Sequence, residues 1–157
     1  MDIVTRGEFL AVGMLVDADW SQLIQQMPAA WERLYARFAE VEGLAEGIGP
    51  FVDISIARDG DQYRQLAGVV VGACEKVPDG MVCVTVPGNR YLAQRHEGPL
   101  QDIAATFGQM LDHAQRSGIE VGDLKLDLGY EKGEQLAHHD LFVGIEPVMP
   151  PVVLRRG

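Results

Sequence analysis

The strongest constraint in this sequence is an order of hydrophobic patterns that occurs twice along the chain. In each half, an alternating apolar segment is followed by apolar residues at three- and four-residue steps, and then by two more alternating segments. Alternation is typical of a strand with one buried face, and the longer steps are typical of an amphipathic helix. The sequence therefore predicts an α+β fold made of duplicated β-α-β-β units.

The first unit is expected to cover about residues 8–76, and its bounds depend on three turn signals. The pattern predicts a helix over 28–42 and strands over 9–16, 51–57 and 63–73. Pro28 is placed at the start of the helix because proline removes a hydrogen bond from a helix interior, so the periodic residues before it are expected to form a turn or a separate helical piece. Gly43 is expected to end the helix, and Asp59-Gly60 predicts a hairpin turn.

The second unit is expected to cover about residues 80–147. The pattern predicts strands over 82–86, 91–96, 124–130 and 141–145, with a turn at Lys132-Gly133 before the last. Pro99 is expected to open the second helix and Gly118 to close it. The two units would form one domain over 1–148. The tail, residues 149–157, carries two prolines and two arginines and is expected to be loosely held.

Two pairs of similar short segments support a duplication. Residues 59–62 correspond in position to 132–135, and residues 69–72 correspond to 141–144. The two segments follow the same order in both halves. Two copies of a small unit usually associate about a pseudo-two-fold axis, and the groove between them is the natural place for a ligand.

Net charge limits the classes of ligand. The chain has 13 Lys and Arg against 23 Asp and Glu, a formal charge of -10. This balance argues against binding to a nucleic-acid backbone, which requires a basic surface, and permits attraction of cations.

Localisation is expected to be cytoplasmic. The N-terminal residues lack the layout of a signal peptide, and no apolar run reaches the roughly 20 residues that span a bilayer. Cys74 and Cys83 do not have a metal-type spacing, so both are interpreted as free thiols in a reducing compartment.

Aromatic residues are the first candidates for ligand contact. Trp31, Tyr35 and Phe38 share one helix face, and the pattern fits either core packing or the wall of a cleft. Their second-half equivalents are Tyr91, Phe107 and Tyr130. A tyrosine hydroxyl there either orients a ligand or hydrogen-bonds within the core.

Two mid-strand aspartates, Asp53 and Asp127, are unusual because Asp is disfavoured in strands. A solvent-facing side of the sheet is the favoured interpretation, and a carboxylate at the floor of a cleft is the alternative. No metal site is expected at 138–140, because adjacent side chains on a strand point to opposite faces. No phosphate loop or nucleophile motif is present, and no cofactor is expected.

The ordered motifs resemble the GyrI-like (gyrase-inhibitor-like) domain, which is similar to the effector-binding domains of AraC- and MerR-type regulators. The resemblance covers about residues 8–147 and rests on Val77-Pro78-Asp79-Gly80-Met81, Val86-Pro87-Gly88-Asn89-Arg90-Tyr91, His96-Glu97-Gly98-Pro99, Ser117-Gly118, Tyr130 and Leu141-Phe142-Val143-Gly144-Ile145. It implies an antiparallel sheet with two helices and a central cleft that binds small, often aromatic and cationic, molecules.

The resemblance also implies a stand-alone member, because the chain begins almost directly at the first predicted strand. Members often carry Glu two residues before the tyrosine that matches Tyr130, whereas this chain has Leu128 there. Asp127 is adjacent, but alternation points it to the other face of the strand unless a bulge intervenes.

The sequence therefore favours a protein that senses or sequesters a hydrophobic molecule, cationic or neutral, over an enzyme. The ligand is expected between Trp31, Tyr35, Phe107 and Tyr130, with a carboxylate such as Asp127 nearby. The alternatives are a hydrolase of strained natural products such as cyclopropanoids, and an interaction protein that forms a homodimer or contacts a regulator or gyrase.

Overall fold

The computed structural model describes residues 1–45, 50–131 and 134–157, without the side chains of residues 130–137. These residues form nine strands and two α-helices. The helices are α1 (Trp20–Ala36) and α2 (Ile103–Arg116), and the strands are β1 (Asp2–Arg6), β2 (Phe9–Ala18), β3 (Phe51–Asp59), β4 (Gln62–Val71), β5 (Val82–Val86), β6 (Asn89–Glu97), β7 (Val121–Glu131), β8 (Glu134–Ile145) and β9 (Val153–Arg156).

All nine strands belong to one antiparallel sheet in the order β1-β6-β8-β7-β3-β4-β2-β5-β9. Read outward from its middle, the order is β7-β8-β6 on one side and β3-β4-β2 on the other. The strands β2 and β6 occupy equivalent places, and each is followed by a helix. This confirms the predicted α+β fold of two β-α-β-β units with pseudo-two-fold symmetry.

The two faces of the sheet have different roles. One face curls around a core cluster to which every strand contributes, including Val52, Tyr91 and Leu126. The other face carries both helices: α1 packs on a cluster that includes Val69, and α2 packs on a cluster that includes Leu141. The space between the helices is therefore on this second face.

The sheet extends beyond the predicted units at both ends. The strand β1 pairs with β6, and β9 pairs with β5 through Val82–Arg156 and Thr85–Val153. The prediction of a loosely held tail is wrong for residues 153–156. The edge of β5 offers unpaired backbone groups, which the tail satisfies despite its two prolines.

The helix α1 runs without interruption through Pro28, so its predicted start is wrong. Pro28 does remove one backbone donor, yet the residues on both sides of it supply one buried face: Leu23, Met27, Ala30, Trp31 and Leu34. Burial of this face against β2 and β4 outweighs the local cost of proline. The helix also ends earlier than predicted, at Ala36, and a 3₁₀ turn over Phe38–Glu40 follows.

Asp19 caps α1, and its replacement provides a test of the helix start. The Asp19 side chain accepts hydrogen bonds from Gln22 N and Ser21 Oγ, both at 2.9 Å. We expect Asp19→Ala to lower the melting temperature by roughly 2–4 °C, because two first-turn donors lose their acceptor. Asp112→Ala, an exposed position on α2, is the control and should leave the melting temperature unchanged. Equal melting temperatures for both variants would contradict a cap at this position.

The second unit agrees with its prediction except in its bounds. The helix α2 begins at Ile103 after a 3₁₀ turn, and Gly118 follows it with a φ of 70°. The strand β8 begins at Glu134 rather than 141, while the predicted turn at 132–133 lies outside the described residues. Cys74 and Cys83 are free thiols, as predicted. Over the described ranges, neither helix is long and apolar enough to cross a membrane.

Candidate functional site

A cavity of about 760 Å³ lies between α1 and α2 over the middle of the sheet. Both repeats supply its lining, which is mostly apolar. Its residues are Trp20, Leu23, Ile24, Met27, Pro28, Trp31 and Tyr35 from α1, Ile103, Ala104, Phe107, Gly108 and Leu111 from α2, Leu100 just before α2, and Asp53, Ser55, Ala57, Arg58, Tyr63, Arg64, Gln65, Asp123, Lys125, Leu126 and Asp127 from the sheet.

The α1 wall is aromatic. The rings of Trp31 and Tyr35 lie 5.6 Å apart between centroids, and Phe51 of β3 supports both from behind. Trp31 is 8% exposed. At the mouth, Trp20 is 55% exposed and lies 5.5 Å from the Tyr63 ring. Trp31 and Tyr35 therefore line the cavity, and Trp20 and Tyr63 extend the aromatic surface.

The α2 wall is formed by the face that carries Ile103, Phe107 and Leu111. These residues are four apart, so they lie one above another on the same side of the helix. Leu111 remains 37% exposed and Phe107 is half-buried. Phe107 thus lines the cavity and faces the α1 wall across it.

The floor of the cavity holds two aspartates side by side. Asp53 of β3 pairs directly with Asp127 of β7 in the register, so both side chains project from the same face of the sheet. Asp53 is 9% exposed and Asp127 is 5% exposed. The favoured sequence interpretation, a solvent-facing side, is therefore wrong, and both aspartates line the cavity. We call Asp53 and Asp127 the floor carboxyls.

Burial controls the ionisation of Asp53. Its pKa is raised from 3.8 to about 7, chiefly by removal from water and in addition by the charge of Asp127. Hydrogen bonds from Gln65 and Trp31 act in the opposite direction, and the Gln65 Nε2 to Asp53 Oδ1 distance is 2.7 Å. Two adjacent buried carboxylates repel each other, so the pair favours a state that holds one proton.

Asp127 has a second partner that sequence reasoning missed. His139 of β8 is 2% exposed, and its Nδ1 donates to Asp127 Oδ1 at 2.7 Å. Alternation places the neighbouring Asp140 on the other face, where it pairs with Arg95. Within the described ranges, no cluster of His, Cys, Asp and Glu suits a metal ion. The sequence signal that could have identified His139 is its position two residues before Leu141, because alternation places both side chains on the same face of the strand.

The strand geometry shows which of the two side chains, Asp127 or Leu128, faces the cavity. Leu128 packs with the cluster on the opposite face of the sheet, and Asp127 faces the cavity. The register between β7 and β8 shifts between Leu128 and Tyr130, and Gly129 there has a φ of 150°. The bulge lies after Asp127, so it changes how the strand continues towards Tyr130 without moving the aspartate from the floor.

Two predicted ligand contacts do not line the cavity. Phe38 packs beside Phe51, with ring centroids 5.3 Å apart, because the helix ends before it. Tyr91 is fully buried on the opposite face of the sheet, where it packs against Phe142. The side chain of Tyr130 lies outside the described residues.

Cationic residues also reach the cavity, and most are already engaged. Arg64 pairs with Asp17 at 2.8 Å, and Arg58 stacks over Tyr63 at 5.1 Å. Lys125 lies on the floor beside Ser55, its partner in the register. Burial lowers the pKa of Lys125, which Arg58 lowers further and Asp123 raises.

Solved structures with the same fold include proteins of small-molecule binding and regulation. SAV2435, solved bound to tetraphenylphosphonium, has a TM-score of 0.71 at 10% identity, over 92% of this chain and 93% of its own. The C-terminal domain of EcmrR has a TM-score of 0.63 at 9% identity, over 94% and 97% of the two chains. At these identities the similarity establishes the fold alone. None of the curated proteins matches the chain significantly in sequence.

The family assignment rests on nearly the whole chain. An integron cassette protein from the mobile metagenome of Vibrio cholerae has a TM-score of 0.67 at 9% identity, over 92% of this chain and 95% of its own. Residues 2–145 match the Cass2 family, which is described as integron-associated effector binding protein. The chain belongs to this family of effector-binding proteins.

Proposed function

We propose that the protein binds a hydrophobic organic cation between α1 and α2, and thereby senses or sequesters it. The observation that carries this proposal is the pair of floor carboxyls beneath an aromatic-walled cavity. The effector-binding family and the tetraphenylphosphonium bound to SAV2435 support it.

The size and surface of the cavity suit a flat or propeller-shaped aromatic molecule. Its volume of about 760 Å³ lies within the range of drug-sized ligand sites, roughly 300–1,000 Å³. Trp31 and Phe107 present apolar surface from opposite walls, and aromatic faces also attract cations. Most of the binding free energy would therefore come from burial of apolar area, with charge setting the preference.

The floor carboxyls would supply that preference. Without a ligand, burial and the neighbouring charge of Asp127 raise the pKa of Asp53 to about 7, so this carboxyl is only partly ionised at neutral pH. A cation placed above both carboxyls offsets their repulsion, so the pair can release its proton and carry the full charge. A neutral ligand of the same shape gains nothing from this step.

Tetraphenylphosphonium and neutral triphenylphosphine oxide form a suitable ligand pair for the test. We expect calorimetric titration with tetraphenylphosphonium to give a Kd in the micromolar range and triphenylphosphine oxide to bind at least tenfold more weakly, which corresponds to about 1.4 kcal/mol. Quenching of the two tryptophans in the lining gives a second readout. Cationic dyes of the rhodamine type extend the series. No cation binding at tens of micromolar, with the neutral molecule bound, would remove the charge component of the proposal.

Hydrolysis of a strained electrophilic natural product is the second candidate. The observation that favours it is the contrast between Asp127, which accepts from His139, and Asp53, whose pKa of about 7 lets it hold a proton. Water attack needs a base to accept a proton and an acid to donate one, and two carboxyls with different environments can divide these roles. Turnover of a cyclopropane substrate that persists in Asp127→Asn and in Asp53→Asn would eliminate this assignment.

A protein partner is a separate prediction. A homodimer, or a complex with a regulator or gyrase, would be detected by light scattering coupled to size-exclusion chromatography and by pull-down with the purified candidates. A monomer that captures neither candidate would count against it.

A further inference from the structure

Lys125 gives the cavity floor a second charge of opposite sign. Lys125 and Asp127 are two residues apart on β7, so their side chains leave the same face of the sheet. The strand rise of about 3.3–3.4 Å per residue separates their backbone positions by about 7 Å. Across the floor, the corresponding positions on β3 are Ser55 beside Lys125 and Asp53 beside Asp127.

The ammonium group of Lys125 has one acidic neighbour, Asp123, and one basic neighbour, Arg58. Among the described residues, none of the ion pairs involves Lys125. The acidic neighbour on its own strand, Asp123, is exposed at the mouth, and Arg58 is a like charge nearby. Lys125 therefore lies in the cavity as a half-buried cation, and none of the ion pairs among the described residues includes it.

We infer that the preferred ligand is amphoteric: an aromatic molecule with a cationic group over Asp53 and Asp127 and an anionic group at Lys125. This inference rests on the proposed function and defines its ligand class more narrowly. A ligand with one positive charge compensates the floor carboxyls but leaves the Lys125 ammonium desolvated beneath it. A ligand that carries both charges compensates both groups, which is the condition for burying charge at low cost.

Rhodamine 6G and rhodamine 19 differ only in whether they carry a free carboxylate. The first is the ethyl ester of the second, so both have the same cationic ring system, and only rhodamine 19 carries a free carboxylate. We expect Lys125→Met to lower the affinity for rhodamine 19, relative to that for rhodamine 6G, by about tenfold. This change corresponds to about 1.4 kcal/mol of coupling between Lys125 and the carboxylate. Lys125→Arg should retain the wild-type ratio. The ratio in the wild type should move towards the ester as salt is raised.

The matched control removes a cation of the same charge away from the cavity. Arg33 is exposed on α1, and Arg33→Met should leave the dye ratio unchanged. Tetraphenylphosphonium, which has no anionic group, should bind Lys125→Met at least as well as the wild type, and this also shows that the variant is folded.

The possible outcomes separate the two proposals. Equal dye ratios in wild type and Lys125→Met, with tetraphenylphosphonium bound to both, would overturn the amphoteric ligand and leave the cation site intact. Failure of the wild type to bind both dyes and tetraphenylphosphonium would overturn the proposed function and this inference together. A tenfold shift confined to Lys125→Met would support both.

Discussion

The double variant Asp53→Asn/Asp127→Asn is expected to bind tetraphenylphosphonium about 100-fold more weakly than the wild type at pH 7, whereas either single variant loses only a few-fold. The reason is that the floor carboxyls share one proton in the free protein. Burial is the main cause of the raised pKa of Asp53, and the charge of Asp127 adds to it. When Asp127 becomes an amide, this second contribution disappears, so Asp53 ionises more readily and replaces part of the lost charge. When Asp53 becomes an amide, Asp127 still faces the ligand. Calorimetric titration of the four proteins gives the coupling between the two sites.

Two controls separate loss of charge from loss of structure. Triphenylphosphine oxide should bind all four proteins within a few-fold, because its contacts are with the aromatic walls. Asp112→Asn, an exposed position on α2, removes one negative charge away from the cavity and should retain cation affinity. If the effects of the two single variants simply add to that of the double variant, the carboxyls act independently and the shared proton is wrong.

The architecture was readable from the sequence because period and order are local signals. Alternation in β3 and β5 and the four-residue steps of α2 each follow from a buried face, and their repetition predicted the symmetry. The antiparallel arrangement came from the resemblance to a known domain. What local signals could not predict were the strands β1 and β9, because both are defined by the open edge on which they pair.

Pro28 shows how a correct local rule gives a wrong boundary. A proline inside a helix costs one hydrogen bond, which a sequence pattern counts as a stop. In the folded chain, Leu23 and Met27 before the proline share the buried face of Trp31 after it, and that shared burial keeps the helix continuous. The part of α1 before Pro28 then supplies four lining residues of the cavity, including Trp20.

The site was harder to predict than the fold because it depends on pairing between strands. Asp53 and Asp127 were each unusual in the sequence, but only the register of β3 with β7 brings them together on one face. Aromatic residues posed the opposite problem. Trp31 and Tyr91 have similar signals in the sequence, yet they lie on opposite faces of the sheet, one at the cavity wall and one in the curled core.

The second large effect concerns stability without any ligand. We expect Asp53→Asn to be more stable than the wild type above pH 7, by about 2–4 kcal/mol, and nearly equal to it at pH 4 and below. The pKa of Asp53 is about 7 in the folded protein, against 3.8 for an ordinary aspartate. Between these values the folded state binds the extra proton and the unfolded state does not. Stability from this group is therefore present at low pH and is lost as the pH rises towards 7.

The amide resembles the protonated carboxyl, so Asp53→Asn removes this loss without removing the side chain. Urea unfolding at pH 4, 5, 6, 7 and 8 should give a stability difference between the two proteins that grows from pH 4 to pH 7 and then levels off, with Asp112→Asn following the wild type throughout. The gain is limited because the amide must still accept from Gln65 and Trp31, which hydrogen-bond the carboxyl. A constant difference at every pH would mean that Asp53 does not titrate in this range. Such a result would also remove the shared proton on which the non-additive binding of the floor carboxyls depends, so the two experiments test one electrostatic arrangement from the free and the bound state.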